Sequence, residues 1–373
     1  MPPRASHAKI LLLSSLLLLP LLSSAQTLPA AQTAAQTAAQ SVQTAALTRA
    51  EVRALFQKTR PATFKLEIPG AGYGTGFFIS ADGYALTAYH VVENATKLDA
   101  LTTKNETLPL EVIGFDAAQD IALVKATSKT PLPFVKVALE APIVGQNVLA
   151  IGNSGGDFLK SRVGKLLKLD VTADRADFPS GTFEMSAPLA PGDSGGPIFN
   201  VAGEVIGVTS YIKLADGNLD FAAYSPENFL SYAVSLPNRK ALLTELRAGV
   251  KHDVPVLGIG SAFPNDVPDD IFATLGIGST PGAVIETVRA GGPAAKAGLK
   301  PLKVIPGENG QDPRVEADVI TAVDGLPVHG FVQLLERVRQ KRIGDKVTLT
   351  VQRGTETVKI MLELGAKADV FKG

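Results

Sequence analysis

The stretch APGDSGGPIF, residues 190–199, places a single serine, Ser194, within a run rich in glycine and proline. Such a run is typical of a tight turn between two strands. It also suits a nucleophile, because Gly192 lets the backbone turn sharply while Gly195 and Gly196 leave room for a substrate beside the Ser194 hydroxyl. The stretch alone does not decide between the two interpretations.

A serine hydroxyl is a weak nucleophile unless a nearby base removes its proton and a third group orients that base. Of the four histidines, three lie outside the β-rich region that contains Ser194, in a leader, a linker and a second domain: His7, His252 and His329. Only His90, which follows the strand-like YALTAY, belongs to that region. His90 is therefore the candidate base, with a half-buried histidine bonded to a backbone carbonyl as the structural alternative.

The carboxylate that orients the base is expected at the start of a buried strand. In DAAQDIALVKA, residues 116–126, Asp120 directly precedes the apolar run IALV. A carboxylate drawn partly inward there needs a partner such as His90. We interpret Asp116 as a turn residue and Asp99 as a solvated loop acid.

Residues 63–249 predict many short strands separated by Gly, Pro, Asp and Asn. The runs are TFKLEI, GTGFFIS, YALTAYHVV, IALVKA, NVLAIG, TFEMSA, GPIFN and EVIGVTSYI. Because no regular series of helices separates them, they predict a β-sandwich or paired β-barrels. A helix that Pro61 stops precedes the region, and the helix-like stretch 226–250, capped by Gly249, closes it.

KHDVP, residues 251–255, is predicted to be a linker to a smaller α/β domain. Strand-like runs there are VLGIG, GAVIETV, DVITAVDG, KVTLTVQR and TETVKIMLEL, and helix-like runs are GPAAKAGL and FVQLLERVRQKR. The predicted division of the chain is a leader, a low-complexity linker, a β-rich domain and a small α/β domain, at residues 1–25, 26–47, 48–250 and 255–366.

The composition excludes several classes of function. The chain has 373 residues, with 36 Lys and Arg against 36 Asp and Glu. The resulting formal net charge of zero argues against chain-wide attraction to nucleic acid or to anionic membranes. The chain has no cysteine, and therefore no disulfide framework, thiolate nucleophile or cysteine-bound metal. The scattered histidines lack metal-ligand spacing, and no cofactor is implied.

Residues 1–25 predict an export signal, in which a short basic stretch precedes the apolar run ILLLSSLLLLPLLSSA. The run is shorter than the ~20 residues that span a bilayer, and Pro20 interrupts it. These features favour a signal cleaved after Ala25 over an uncleaved anchor, and we expect a periplasmic or extracellular protein. Residues 26–47, rich in Ala, Gln and Thr, predict a flexible tether, with a fluctuating helix as the alternative.

The motifs GTGFFISADGYALTAYHVV, DIALVKA and PGDSGGPIF, in this order, resemble the HtrA/DegP-type branch of trypsin-like serine proteases. The resemblance implies a mainly β, chymotrypsin-like double β-barrel with the active site in the cleft between the barrels. It assigns Ser194 as the nucleophile, His90 as the general base and then acid, and Asp120 as the orienting acid. The N–H groups of Gly192, Asp193 and Ser194 would form the oxyanion hole.

Two residues depart from the pattern of this family. Asp193 stands where the family commonly has Asn, and in zymogen-activated relatives an Asp there pairs with a newly cut N-terminus. Because a low-complexity tail precedes this domain, Asp193 needs another donor or stays solvated. Tyr89 stands where a smaller or amide residue is usual, and its ring is expected to pack on the barrel.

The resemblance also locates the walls of the primary substrate pocket, before the nucleophile loop and in the stretch VTSYI: Pro188, Leu189, Ala190, Thr209 and Ser210. No acid lies in these stretches to pair with a substrate Lys or Arg. An apolar pocket discriminates weakly among small aliphatic groups. We therefore expect cleavage after Val, Ala, Leu or similar residues, mostly in unfolded proteins.

The second domain resembles a PDZ domain, most specifically in GAVIETVRAGGPAAKAGL followed by ADVITAVDG. VLGIG, which alone reads as an ordinary strand, fits the carboxylate-binding loop, so Leu257, Gly258 and Ile259 would hold a peptide C-terminus through their backbone. The segment 300–318 is longer than the resemblance implies. A plain loop is favoured there, and altered access to the peptide groove is the alternative.

Two hypotheses of different classes follow. The first is an exported endopeptidase that degrades unfolded or misfolded proteins; the second is a proteolytically silent peptide-binding chaperone or scaffold. An esterase is poorly supported, because the GxSxG elbow and alternating βα pattern are missing from the sequence. The resemblance implies a homo-oligomer, with a trimer as the expected form; Phe56, Phe64 and Tyr73 are candidate contacts, although core packing explains them equally well.

Overall fold

A computed structural model of the chain describes residues 41, 43–93, 95–171, 179, 181–214, 229–261, 281–306 and 314–371. The predicted leader and its cleavage site lie outside the described residues, as do residues 26–40 and 42 of the low-complexity linker. The residues from Gln43 onward form one compact unit. No helix within the described ranges is long and apolar enough to cross a membrane.

The first helix, α1 (Arg49–Thr59), is fixed at both ends by its sequence. The Thr48 hydroxyl accepts the Glu51 N–H and the Glu51 carboxylate accepts the Thr48 N–H, which forms a capping box. Pro61 stands in the short 3₁₀ turn that follows and cannot continue the helix. Leu55 anchors α1 in the apolar core between the two barrels.

Six strands form a first closed barrel: Thr63–Ile68 (β1), Gly72–Phe78 (β2), Tyr84–Thr87 (β3), Leu98–Leu101 (β4), Thr107–Asp116 (β5) and Ile121–Ala126 (β6). Their order is β5-β4-β1-β2-β3-β6, and the pairing of β5 with β6 closes the barrel. Phe64, offered above as a possible oligomer contact, is fully buried in this barrel, whereas Tyr73 is exposed at the start of β2. The oligomeric state stays a prediction.

A second closed barrel follows: Asn147–Gly152 (β7), Lys160–Val171 (β8), Thr182–Met185 (β9), Pro197–Phe199 (β10), Val205–Leu214 (β11) and Phe229–Ser235 (β12). Their order is β10-β11-β12-β9-β8-β7, so the paired-barrel prediction is confirmed over a sandwich. The helical prediction for 226–250 was wrong in its first half. There β12 pairs with both β9 and β11, and only α3 (Lys240–Arg247) is helical.

One continuous apolar core joins the barrels. Phe77 and Leu86 of the first barrel pack in the same cluster as Leu149, Phe199 and Val208 of the second. Burial of these apolar side chains away from water is the main contribution that holds the two barrels together. The ends of β3, β10 and β11 are thereby fixed close to one another, and these ends carry the site described below.

The chain after α3 begins with Lys251–His252 (β13), which pairs in parallel with β5 and is therefore not a free linker. The remaining elements are Pro255–Val256 (β14), Ile259–Gly260 (β15), Ala283–Val284 (β16), Thr287–Val288 (β17), Pro293–Lys296 (α4), Lys303–Ile305 (β18), Arg314–Glu316 (β19), Asp318–Val323 (β20), Leu326–Pro327 (β21), Phe331–Arg339 (α5), Lys346–Arg353 (β22), Glu356–Glu363 (β23), Gly365–Ala366 (β24) and Lys367–Val370 (α6). The main sheet has the order β16-β20-β22-β23, with α5 packed on it.

The described ends of the 300–318 segment are not a plain loop, because β18 and β19 pair as an antiparallel hairpin. Its tip, residues 307–313, lies outside the described residues. On β20, Asp318 is fully buried and accepts two hydrogen bonds of 2.7 Å from the Arg353 guanidinium and one of 2.8 Å from the Lys300 N–H. This buried pair ties the hairpin base to β22.

Candidate active site

His90 is presented by a short helix rather than by the end of a strand. Strand β3 ends at Thr87, and α2 (Tyr89–Val92) starts directly after Ala88. The Tyr89 N–H donates to the Asp120 carbonyl at 3.2 Å, which ties α2 to the turn before β6. The change from strand to helix therefore turns the His90 side chain toward Asp120, and 42% of that side chain is exposed.

The structure brings His90 and Asp120 together. Asp120 accepts hydrogen bonds from His90 Nδ1 at 2.9 Å and from the His90 backbone N–H at 2.9 Å. Asp120 has a φ of 55°, a left-handed conformation that few residues other than Gly, Asn and Asp adopt readily. Asp116 supports this turn by accepting the Gln119 N–H at 2.9 Å, as expected of a turn residue.

Asp99 was predicted to be a solvated loop acid, and that prediction was wrong. Asp99 lies on β4, is buried, and pairs with Lys97 at 3.1 Å. The strand β4 was not recognised in the sequence, so the carboxylate had no predicted place in a sheet.

The charges of the His90–Asp120 pair reinforce each other. Burial by itself lowers the pKa of His90, but the charge and hydrogen bond of Asp120 outweigh burial and raise the pKa above its ordinary value. Burial by itself raises the pKa of Asp120, but the charge and hydrogen bonds of His90, with a further bond from Ser210, lower it. Asp120 is therefore already a carboxylate at the pH values where His90 changes its charge, and this carboxylate stabilises the imidazolium.

Ser210 supports Asp120 instead of offering its hydroxyl to a substrate pocket. Strand β11 carries a bulge, because Thr209 pairs with Ala233 and Tyr211 with Tyr232, so that Ser210 is the extra residue. The buried Ser210 hydroxyl donates to Asp120 Oδ2 at 2.5 Å. Ser210 was expected in a pocket wall, and no residue type in the sequence signals the bulge.

The loop that carries Ser194 is held against β2 and β11. The Thr75 N–H donates to the Ser194 carbonyl at 2.9 Å, and the Gly195 N–H donates to the Thr209 carbonyl at 2.8 Å. At Gly195, where φ is 81°, a Cβ would lie 2.1 Å from Thr87 Oγ1. Only glycine fits there, because both the backbone conformation and the space exclude a side chain.

The loop that carries Ser194 lies close to the segment that carries His90, although no hydrogen bond joins the two residues among the described ranges. Gly74 lies between the two: a Cβ there would be 3.2 Å from the Ser194 carbonyl oxygen and 2.7 Å from the side chain of Val91. The His90 ring bonds Asp120 through Nδ1, and no described residue bonds Nε2. Catalytic hydrogen bonds are often long before a substrate binds and tighten in the complex.

Two backbone N–H groups of the nucleophile loop have no acceptor in the part of the chain that the structure describes. Within the described ranges, no oxygen accepts the N–H of Gly192 or of Ser194. The Gly192 carbonyl is turned away from the cleft, where it accepts the Thr75 hydroxyl at 2.8 Å. The N–H of Asp193, which the sequence analysis counted as an oxyanion donor, instead donates to the Ala190 carbonyl at 3.0 Å. Two donors, not three, therefore remain for an oxyanion.

The Asp193 carboxylate has the partner that the sequence did not reveal. It is buried and accepts the N–H groups of Ser154 and Ala190, each at 3.0 Å. Arg162, on β8, pairs with it at 3.6 Å and also donates to the Ser154 hydroxyl. Nothing local in sequence pointed to Arg162, because β8 itself was not predicted.

The other predicted pocket residues are close to the nucleophile loop. Thr209 bonds the loop through its backbone, and Leu189 and Ala190 are buried in the stretch just before it. Pro188 is half-buried. Among the residues that the structure describes, no group of three His, Asp or Glu side chains is arranged to hold a metal ion.

Helix α6, the last described helix, contacts the helix that bears His90. The Lys367 ammonium pairs with the Glu93 carboxylate at 2.6 Å and lies 5.5 Å from the centre of the Tyr89 ring. Tyr89 stacks on Phe115 at 4.3 Å between ring centres, which agrees with its expected packing on the barrel. Burial and the Asp253 and Glu93 carboxylates raise the pKa of the Tyr89 phenol, so the phenol is neutral.

Hydrogen bonds to its own backbone carbonyl groups hold the predicted carboxylate-binding loop of the second domain in place. The Leu257 carbonyl accepts the Ala294 N–H, and the Gly258 carbonyl accepts the Arg289 N–H, each at 2.9 Å. Ile259 pairs with Val288. Over the described part of the chain, no oxygen accepts the N–H of Leu257 or Gly258. Two backbone donors are therefore available at this turn.

Comparison with known proteins shows two domains in order. The trypsin-like peptidase domain matches residues 74–208 and the PDZ domain matches residues 255–364. Among solved structures, the HtrA-type protease AlgW with a decapeptide is 21% identical, covers 85% of this chain and 98% of its own, and has a TM-score of 0.47.

The curated relatives are named as Do-like or DegP-like proteases. Protease Do-like 1, chloroplastic, of Arabidopsis thaliana is 30% identical over 82% of this chain and 66% of its own length. A probable periplasmic serine endoprotease DegP-like of Pseudomonas savastanoi pv. phaseolicola is 31% identical over 81% of this chain and 59% of its own. This chain thus spans roughly three fifths of the relatives it matches. The two domains and these relatives together show that the chain belongs to the HtrA/DegP-type family of trypsin-like serine proteases with a PDZ domain.

Proposed function

We propose that this protein is an exported serine endopeptidase that hydrolyses peptide bonds of unfolded or misfolded proteins. The observation that carries the proposal is the His90–Asp120 pair, which lies close in the fold to the Ser194 loop and to its two backbone N–H groups that have no acceptor among the described residues. A structural turn around Ser194 needs neither a histidine held by a buried carboxylate nor unpaired donors. The alternative, a silent scaffold, leaves these features without a role.

In the proposed reaction, Ser194 Oγ attacks the scissile carbonyl carbon as His90 Nε2 takes its proton. The carbonyl electron pair moves to the oxygen, which accepts hydrogen bonds from the N–H groups of Gly192 and Ser194. His90 then gives the proton to the leaving amine, and the C–N bond breaks to leave an acyl-enzyme on Ser194. Water, activated by His90, hydrolyses the ester. Asp120 holds the imidazole in the tautomer that leaves Nε2 free to accept.

The proposed substrates follow from the walls beside the nucleophile loop. Leu189 and Ala190 present no charge, and the Ser210 hydroxyl, which would have made one wall polar, is used by Asp120. A pocket of this kind favours Val, Ala or Leu before the cleaved bond and discriminates weakly among them. Cleavage after Lys or Arg would contradict this part of the proposal.

The second domain is proposed to bind peptide C-termini. A terminal carboxylate would accept the free N–H groups of Leu257 and Gly258, as an oxyanion does at a backbone turn. Several bacterial relatives are named as periplasmic endoproteases, which agrees with the export signal predicted for residues 1–25. We place the protein in the periplasm or outside the cell, with protein substrates and no cofactor.

The test is hydrolysis of an unfolded casein-type substrate by the chain from residue 26 onward, beside Ser194→Ala. A fluorophosphonate, which reacts only with an activated serine, is added to both proteins. Loss of one member of such a site typically costs on the order of 10⁴-fold in turnover. Hydrolysis and labelling of the wild type alone support the proposal. If neither protein cuts or is labelled, with or without a peptide that ends in an apolar residue, the scaffold is the better hypothesis.

A further inference from the structure

The Asp193 side chain is the one feature of the nucleophile loop that the proposed reaction does not use. It lies between the two residues whose N–H groups have no acceptor among the described residues, yet only 2% of Asp193 is exposed. Its carboxylate is packed under Gly152, where a Cβ would lie 2.1 Å from Asp193 Oδ1. A buried carboxylate without a compensating charge is strongly unfavourable. The loop is therefore stable in this conformation only if Asp193 is neutralised.

Arg162 supplies the compensating charge from a different part of the barrel. It stands on β8 opposite Ala150 of β7, and its Nε lies 3.6 Å from Asp193 Oδ2. Its Nη2 donates to the Ser154 hydroxyl, while the Ser154 N–H donates to Asp193 Oδ1 at 3.0 Å. Arg162 and Ser154 thus hold both carboxylate oxygens from one side, and over the described residues no other cation pairs with Asp193.

We propose that Arg162 is a positioning residue for the oxyanion hole, because it neutralises Asp193 and so keeps the Gly192 and Ser194 N–H groups pointed into the cleft. Without the guanidinium, the Asp193 carboxylate moves toward water, and the backbone on either side of it moves as well. The proposal rests on the proposed endopeptidase function. In it, a cation within the barrel takes the place of a newly cut N-terminus as the partner of this aspartate.

The proposal makes a reciprocal prediction for Arg162 and Asp193. If Arg162 acts only by compensating the Asp193 charge, then a chain with a neutral amide at position 193 does not need it. Arg162→Met should damage the site, whereas Asp193→Asn combined with Arg162→Met should restore it. A side chain that merely fills space would give additive losses instead, since its packing does not depend on the charge at position 193.

The experiment measures kcat and KM on a peptide with Val before the cleaved bond, for the wild type, R162M, R162K, D193N and R162M/D193N. We expect R162M to lose on the order of 10²-fold in kcat with little change in KM, because oxyanion donors act on the transition state. R162K keeps the charge and should regain most of the loss, and R162M/D193N should stay within tenfold of D193N. Inhibition by a peptide boronate, whose tetrahedral adduct uses the same donors, should weaken in parallel with kcat.

Lys168→Met is the matched control. Lys168 also stands on β8 and pairs with a buried carboxylate, Glu184, at 3.2 Å, but this pair is not part of the nucleophile loop. Its kcat should equal that of the wild type. Thermal unfolding of every variant identifies chains that have lost their fold.

Three outcomes overturn the proposal. R162M with wild-type kcat shows that Asp193 needs no cation. R162M/D193N as impaired as R162M shows that Arg162 does not act through the Asp193 charge. A wild type that neither cuts nor reacts with fluorophosphonate overturns the proposed function itself, which separates that failure from a failure of the Arg162 proposal alone.

Discussion

Replacing Asp120 by Asn tests the hydrogen-bond arrangement around His90 most directly. Asparagine has the same shape and tolerates the left-handed backbone at this position, so the fold should survive. The change replaces one acceptor oxygen by an NH₂ donor. Asp120 now accepts from the His90 backbone N–H, from His90 Nδ1 and from the Ser210 hydroxyl, and an amide oxygen cannot serve all three.

Either orientation of the amide damages the site. If its oxygen stays at the Oδ1 position, the NH₂ faces His90 Nδ1 at 2.9 Å and favours the ring tautomer with the proton on Nε2, which cannot accept from Ser194. If the amide is reversed, the NH₂ meets the His90 backbone N–H instead. A wrong tautomer costs on the order of 10⁴-fold in kcat, which corresponds to about 5.4 kcal/mol of transition-state stabilisation.

The assay is kcat/KM on an apolar peptide as a function of pH. A general base must be neutral, so the activity of the wild type rises with pH through the pKa of His90, which Asp120 holds above its ordinary value. In D120N the residual activity should therefore reach its plateau at a lower pH than in the wild type. Asp99→Asn, at a buried carboxylate of the same barrel, should leave the profile unchanged. A D120N enzyme within tenfold of the wild type would refute the reasoning.

Three further variants each remove a single charge. Arg353→Met leaves Asp318 as a fully buried unpaired carboxylate and should destabilise this domain by about 3 kcal/mol or more, measured by urea unfolding of the whole chain. Lys367→Met should shift the rise of kcat/KM to higher pH, because the Lys367 charge lowers the pKa of His90 and its removal lets that pKa rise. Glu93→Gln should shift it to lower pH, because the Glu93 charge acts in the opposite direction.

Each of these predictions is checked by comparing two variants of the same chain. The Lys341–Asp324 pair of the same domain is partly exposed on both sides, so Lys341→Met should change the free energy of unfolding by less than about 1 kcal/mol. Equal losses for Arg353→Met and Lys341→Met would contradict the role of burial. Shifts of the same sign for Lys367→Met and Glu93→Gln would show that the contact acts through shape and not through charge.

The fold could be predicted from the sequence where strands alternate or are wholly apolar. IALVKA and NVLAIG coincide with β6 and β7 in full, because central barrel strands are buried on nearly every residue. Strand β8 was missed because seven of its twelve residues are charged, polar or glycine, and only one, Leu166, is buried. Strand β12 was taken for helix because FLSYAVS shows no clear period; its partners β9 and β11 decide its state.

Some residues of the candidate site could likewise be predicted from the sequence, and others could not. His90, Asp120 and Ser194 could be picked out because their chemistry requires a base, an acid and a nucleophile in one domain. Ser210 could not, since its role depends on a bulge that no local residue type specifies. Arg162 could not either, because it reaches Asp193 only when β8 and the nucleophile loop are folded beside each other.

Asp193 and Tyr89, the two departures from the family pattern, make the same kind of contact. Each is a polar residue next to a proposed catalytic residue, and each contacts a cation from a distant segment: Arg162 of the second barrel and Lys367 of α6. Such contacts form only after the elements pack, so they make the geometry of the cleft depend on that packing. A variant that loosens α6 should therefore affect the pH profile of His90, whereas one that loosens β8 should affect kcat through the oxyanion donors.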